Sequence, residues 1–206
     1  MEFKKIQLNG FKSFAEKTNF LIEDGLTGIV GPNGCGKSNI VESLRWAMGE
    51  TSAKSMRGSG MEDVIFNGTS NKASKNIAEV SIVVDNASHE GPFQYKEIDQ
   101  IEIRRKIEKD KGSKFYINDK EVRARDAQMF FADLSTGAHS PSMISQGRIG
   151  ALVTAKPTDR RAILEEAANI SGLHVRRHEA ELRLNAAETN LKRADELRRQ
   201  QEKQLA

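Results

Sequence analysis

The eight residues Gly31-Pro32-Asn33-Gly34-Cys35-Gly36-Lys37-Ser38 constrain this chain more than any other segment. They fit the pattern G-x-x-x-x-G-K-[ST] without a mismatch. With glycine at about 7% of residues, chance gives such a match in roughly one chain in a hundred of this length. The flanks fit as well. Leu26-Thr27-Gly28-Ile29-Val30 is a short apolar run between Gly25 and Gly31, the pattern of a buried strand. From Lys37 the period becomes 3.6, with Ile40, Val41, Leu44, Ala47 and Met48 on one face, until Gly49 ends the helix. In the order strand, glycine-rich loop, helix, the glycines let the backbone curl so that successive N–H groups converge on phosphate oxygens. The helix adds the positive end of its dipole. Lys37 supplies a mobile cation for the β- and γ-phosphates of a nucleotide. The Ser38 hydroxyl completes a Mg²⁺ shell made otherwise of water and phosphate oxygens. Cys35 stands at the helix N-terminus, where a thiolate is stabilised and redox control is conceivable; a small residue that fits the turn is the simpler reading.

The remaining composition describes a folded chain. Of 206 residues, 32 are Lys or Arg and 29 Asp or Glu, with four Pro and one Cys, which excludes collagen-like, low-complexity and disulfide-framework classes. The start, Met1-Glu2-Phe3-Lys4-Lys5, has no apolar leader region, and no run of about 18 uncharged apolar residues occurs. The reading is therefore cytoplasmic, with no membrane partner. His174 and His178 form an i,i+4 pair, but Arg176 and Arg177 between them disfavour a metal, so the pair reads as a solvated helix face.

Alternation predicts strands over 3–8, 18–22, 78–84, 100–107 and 114–118, the last three forming an antiparallel meander. Residues 51–75 read as a long ordered loop with one docked apolar piece, Val64-Ile65-Phe66. A helix is expected over 125–134 and, after a polar loop to Arg148, another from Pro157 and Thr158 to Ile170, ended by Gly172. Between Gln100 and Arg125, nine Lys/Arg face five acids, an excess that fits either an exposed charged hairpin or a nucleic-acid contact. From Leu173 to Ala206 there is neither Pro nor Gly. A heptad frame puts Leu173, Ala180, Ala187, Ala194 and Gln201 at d, with Arg177, Leu184, Leu191, Arg198 and Leu205 at a. So polar a helix has nothing within the chain to pack along its length; the alternatives are a partner elsewhere or a solvent-exposed single helix.

Hydrolysis needs more than a phosphate cradle. It needs an acidic strand end near Mg²⁺ and a group that positions water. No run of four apolar residues ending in Asp-Glu follows the loop; Val80-Ser-Ile-Val-Val-Asp85 is nearest, and Asn86 follows it. The pocket reads as incomplete.

Five ordered motifs then carry a resemblance: Gly10-Phe-Lys-Ser-Phe14; Gly31 to Asn39; Ser55-Met-Arg57-Gly with Met61-Glu-Asp-Val-Ile-Phe66; Ser142-Met-Ile-Ser-Gln146-Gly; and Glu165-Glu-Ala-Ala168. In this order and spacing they closely resemble the N-terminal head segment of bacterial SMC (structural maintenance of chromosomes) proteins, over essentially the whole chain. The resemblance implies an α/β fold, the N-terminal lobe of an ABC-type P-loop ATPase head with mixed and antiparallel strands (1–172), followed by the start of a coiled-coil arm (173–206). The Walker B acids, signature motif and switch histidine would lie in a C-terminal lobe beyond this sequence.

The same resemblance assigns roles. Gly31, Pro32, Asn33, Gly34, Cys35, Gly36, Lys37, Ser38 and Asn39 would wrap the ATP phosphates, and Ser38 with Gln146, a Q-loop-like glutamine, would hold Mg²⁺. Arg57 would serve as an arginine-finger-like group and Lys12 as a nucleotide contact. On residue type alone, each of these three could equally be an exposed polar residue. Arg123 and Arg125 are the candidates for phosphate contacts to duplex DNA without sequence specificity, or for pairing with Glu121 or Asp126. The implied partners are the C-terminal lobe, a second head in a homodimer, and kleisin-type accessory subunits, with a location on the nucleoid. The implied function is ATP-dependent chromosome organisation and segregation, with the isolated chain inactive. Rival readings are a split-head double-strand-break repair ATPase, a self-contained P-loop kinase or GTPase, and a purely structural coiled-coil anchor.

Overall fold

The computed structural model describes residues 1–89, 91–134, 143, 153–158, 160–161, 164 and 171–205. Its centre is a six-stranded antiparallel sheet. The strands are β1 (Glu2–Asn9), β2 (Thr18–Leu21), β3 (Ile77–Asp85), β4 (Gln100–Glu108), β5 (Gly112–Ile117) and β6 (Lys120–Val122), in the order β2-β1-β3-β4-β5-β6. Period-2 alternation sets the register, because a one-residue slip would turn every apolar side chain outward. Ile6, Ile82, Ile103 and Ile117 are paired in succession across four strands and form one buried row. In the next row Leu8 pairs with Val80, Val80 with Arg105 and Arg105 with Phe115, so an arginine takes an apolar slot.

That arginine is accommodated by α1 (Lys37–Ala47), which packs on the sheet. Arg105 Nη1 donates to the carbonyls of Trp46 and Glu50, each at 2.7 Å, and Nε to Ser113 Oγ at 2.7 Å. Its guanidinium lies 4.5 Å from the Trp46 ring centroid and 4.6 Å from that of Phe115. A cation at the carbonyl end of a helix is favoured by the helix dipole, and here it adds a second donor to the Trp46 carbonyl, which also accepts from Gly49 N at 3.1 Å, and one to the Glu50 carbonyl just beyond the helix. Burial pushes the guanidinium down to about 10, so it stays charged at neutral pH. The basic excess of 100–125 is thus not a uniform surface. Arg105 is core, and Arg104, Lys111 and Lys114 pair with Asp119, Glu108 and Glu121.

The α1 face differs in detail from the expected one. Ile40, Glu42, Ser43, Trp46 and Ala47 are buried, while Val41 and Leu44 are half-buried. The segment Val64-Ile65-Phe66 docks as expected. Lys12 N donates to Val64 O at 2.7 Å and Phe66 N to Gly10 O at 2.8 Å. Gly10 takes φ +64°, and a Cβ there would meet the Ile77 carbonyl oxygen at 2.2 Å, so the motif can begin only with glycine. Strand β6 is an addition to the expected meander. It follows a two-residue turn in which Asn118 and Asp119 have φ of 47° and 62°, the left-handed pair that a tight hairpin requires.

The expected strand at Leu26–Val30 is not formed. The run is irregular; Leu26 is fully exposed and Val30 is 94% exposed. Among the described residues no strand lies alongside it, and an unpaired apolar strand has neither hydrogen-bond partners nor a surface to cover it.

Helix α2 (Ala124–Asp133) matches its expected span, and Asp126 accepts the N–H of Arg123 at its start, at 3.2 Å. The long C-terminal helix α3 runs from Ser171 to Leu205 and takes in Gly172, two residues earlier than expected. Exposed Leu182, Leu184, Leu191 and Leu197 lie along it, with i,i+4 ion pairs Arg177–Glu181 and Arg198–Glu202. Most of the expected helix 158–170 and of the loop 135–148 lies outside the described residues, as do the side chains of His174 and His178.

Candidate nucleotide site

Residues 31–36 curl ahead of α1, and Gly36 at its N-cap takes φ +90°. A Cβ on Gly36 would meet Ser13 Oγ at 2.5 Å, so the loop is pressed against the Gly10-Phe-Lys-Ser-Phe14 motif. Among the described residues, the N–H groups of Gly34 and Gly36 have no acceptor, and Asn33 and Gly34 form a turn that follows Pro32. Lys37 Nζ folds back into the curl, donating to the carbonyls of Gly31 at 2.5 Å and Pro32 at 2.6 Å, with Cys35 Sγ 3.8 Å away. N–H groups without acceptors, a helix N-terminus and a lysine whose cation has only neutral partners form a receptor for an anion. A phosphate fits this donor set.

Mg²⁺ fits in a limited sense. No cluster of three His, Cys, Asp or Glu side chains exists among the described residues, so Ser38 would supply one hydroxyl to an ion ligated mainly by phosphate and water. Gln146, the second expected ligand, lies outside the described residues.

A polar network flanks the loop and gathers the other expected residues. Asn39 Nδ2 donates to Ser13 Oγ at 2.9 Å, and Asn39 Oδ1 accepts from Arg57 Nη2 at 3.0 Å. Arg57 Nε pairs with Glu42 Oε1, and Lys12 Nζ pairs with Glu42 Oε2 while donating to Met56 O at 2.5 Å. Lys12, Arg57 and Asn39 are therefore brought together. Glu42, buried at 9% exposure, is the member that sequence reasoning missed: it lies outside the apolar face expected for α1, so the helical period gave no signal of its burial.

Asp63 fixes the loop that carries Arg57. Its Oδ2 accepts from Gly60 N at 2.9 Å, Ser59 Oγ at 2.8 Å and Ser59 N at 2.6 Å, and these bonds, the Gly60 one first, hold its carboxyl below the usual range. Arg123 and Arg125 lie elsewhere, at the start of α2, apart from this network. Neither expected acid pairs with an Arg123 guanidinium: Glu121 binds Lys114 and Asp126 takes the Arg123 backbone.

The comparisons with known proteins agree with this geometry. The family model "RecF/RecN/SMC N terminal domain" matches residues 2–150. The chain belongs to that family. It is 57% identical over 197 residues to the Chromosome partition protein Smc of Cereibacter sphaeroides, covering 96% of this chain and 17% of the relative. It is 44% identical to the Smc of Myxococcus xanthus, over the whole chain and again 17% of the relative. The chain thus spans about one sixth of the length of these curated relatives.

Among solved structures, an SMC head domain of Pyrococcus furiosus, with an extended coiled coil and bound to the C-terminal domain of ScpA, superposes with TM-score 0.76 at 30% identity. It covers 95% of this chain and 49% of that one. A structure from a study of ATP-driven dimerization and DNA-stimulated activation of SMC ATPases gives TM-score 0.72 at 30% identity, covering 81% of this chain and 99% of that one. The sequence resemblance to the N-terminal head segment of SMC proteins and the ABC-type head fold are borne out. Among the described residues, no helix is long and apolar enough to cross a membrane.

Proposed function

We propose that this chain is the ATP-binding N-terminal part of a chromosome-organising SMC ATPase head. The observation that carries the reading is the phosphate loop itself: glycine N–H groups left without acceptors, Lys37 folded into the curl, and Lys12, Asn39 and Arg57 gathered at its flank. In this reading Gly31 to Asn39 hold the phosphates, Lys37 neutralises the β- and γ-phosphates, and Ser38 with Gln146 holds Mg²⁺. Lys12 approaches the nucleotide and Arg57 neutralises phosphate charge.

A C-terminal lobe would bring the acidic strand end and cover Leu26, Ile29 and Val30, turning that run into an inner strand of the completed head. A second head would close over the nucleotide, so that binding and hydrolysis gate the entrapment of DNA at the nucleoid. Residues 173–206 would begin the coiled-coil arm, supported by the extended coil of the P. furiosus relative. A kleisin-type subunit would join as ScpA joins that head. Duplex DNA would be held through phosphates, with Arg123 and Arg125 as the candidate contacts, weakly and in a salt-sensitive manner.

The test uses the full-length protein. ATP hydrolysis and ATP-dependent head dimerisation are expected for the wild type and lost in Lys37→Ala and Ser38→Ala. Turnover that survives both substitutions overturns the reading.

A further inference from the structure

Two residues with left-handed backbone meet at one buried carboxylate beside the phosphate loop. Lys12 has φ 47° and Arg57 φ 53°, conformations that non-glycine residues adopt only when their surroundings impose them. Lys12 is imposed by its bond to Val64 O. Arg57 follows a 3₁₀ turn anchored by fully buried Met56, with Arg57 N on Lys54 O and Gly58 N on Ala53 O, both at 3.0 Å. Their side chains then converge on Glu42, one oxygen each.

Glu42 sits four residues after Ser38 on α1, so the two share a helix face and the carboxylate is tied rigidly to the loop. One carboxylate between two cations leaves the cluster a unit of positive charge. Arg57 uses only two of its five N–H donors on Glu42 and Asn39, and its side chain is 58% exposed. Charged groups held this way are oriented before the anion arrives, which removes the cost of ordering two long side chains.

We propose that Glu42 is a positioning residue: it acts through Arg57 and Lys12, aiming both cations at the phosphate-loop anion, and touches neither nucleotide nor Mg²⁺. This rests on the ATPase reading given above. A carboxylate present only to stabilise the fold would change melting temperature and leave turnover per folded molecule alone.

The experiment is single-turnover and steady-state ATP hydrolysis by the full-length protein carrying Glu42→Gln or Glu42→Asp. Each is also combined with Lys12→Ala/Arg57→Ala. Glu42→Gln is expected to lower kcat about 10-fold with KM for ATP within about twofold, and Glu42→Asp about threefold, since the charge remains but is set back one methylene. In the Lys12→Ala/Arg57→Ala background neither change should cost more than about twofold, because nothing is left to position. Unchanged kcat in Glu42→Gln, or losses that multiply in full onto that background, overturns the proposal. If Glu42→Gln does not fold, the Glu42→Asp cycle decides on the same criterion. Wild-type turnover that Lys37→Ala leaves intact would instead sink the underlying ATPase reading, a separate result.

Discussion

The row Ile6, Ile82, Ile103, Ile117 and the run Leu26–Val30 are similarly apolar in sequence and end in opposite environments. The row is at most 3% exposed, whereas Leu26 and Val30 are bare. Every neighbour the sheet needs is in the chain: paired strands on both sides, α1 across one face, and Arg105 sealing the helix end. The approach to the phosphate loop has no strand beside it among the described residues. The same contrast runs through the charges. Arg105 is an inward-facing cation whose bonds are all internal, whereas Arg57 is held from behind by Glu42 and keeps donors for something else. The sheet is covered by its own chain, and the run that leads into the loop it supports is uncovered among the described residues.

The largest effect expected from breaking this contrast is on chemistry. Lys37→Ala in the full-length protein should cost at least about 100-fold in ATP turnover, since it removes the mobile cation from the loop. Thermal unfolding of the same variant should stay close to the wild type, because the Lys37 ammonium bonds only within its own loop, to two carbonyls and the Cys35 sulfur.

On the platform side, Arg105→Met should destabilise by about 3 kcal/mol in denaturant unfolding. It removes the guanidinium donors from the buried carbonyls of Trp46 and Glu50, the Trp46 one keeping only the Gly49 N–H, and takes a cation out of the space between Trp46 and Phe115. A loss below about 1 kcal/mol would mean that the sheet does not depend on this arginine to hold α1.

A smaller effect is expected at Asp63. Its carboxyl is held below the usual carboxylate range, first by the Gly60 N–H and then by Ser59. The sign follows from linkage: a lowered carboxyl favours the bonded loop above the ordinary aspartate range, and that contribution is lost as pH falls through the lowered folded value. The amide proton shifts of Ser59 and Gly60 should therefore titrate in that acid window and not between pH 5 and 8, and Asp63→Asn should abolish the titration.

The smallest effect sharpens the comparison most. Replacing Leu26, Ile29 and Val30 together by Ser should change the stability of the 206-residue chain by no more than about 0.5 kcal/mol. In the full-length protein the same triple substitution should prevent ATP turnover. A large loss of stability in the isolated chain would show the run to be packed within it.

Much of this was legible in the sequence, for definite physical reasons. The sheet strands announce themselves by alternation, and the loop by a pattern that only a phosphate cradle needs. Arg105 was misread because a polar residue in an apolar slot looks like surface until its acceptors, contributed by α1, are seen. Glu42 was missed because it falls opposite the expected apolar face of α1, where an acid looks solvated until its cations, from distant positions 12 and 57, are seen. Strand β6 is three residues long, too short for a periodic signal. Leu26–Val30 records the opposite limit: a buried-strand pattern states what a segment requires, and the neighbour that meets the requirement need not lie in the same stretch of sequence.

The central claim, a cradle without the rest of its active centre, is tested most directly by measuring ATP hydrolysis of the 206-residue chain alone and again after adding the separately expressed C-terminal lobe. No turnover above background alone, and Lys37-dependent turnover on mixing, is the predicted result. Lys37-dependent turnover by the unmixed chain would contradict it.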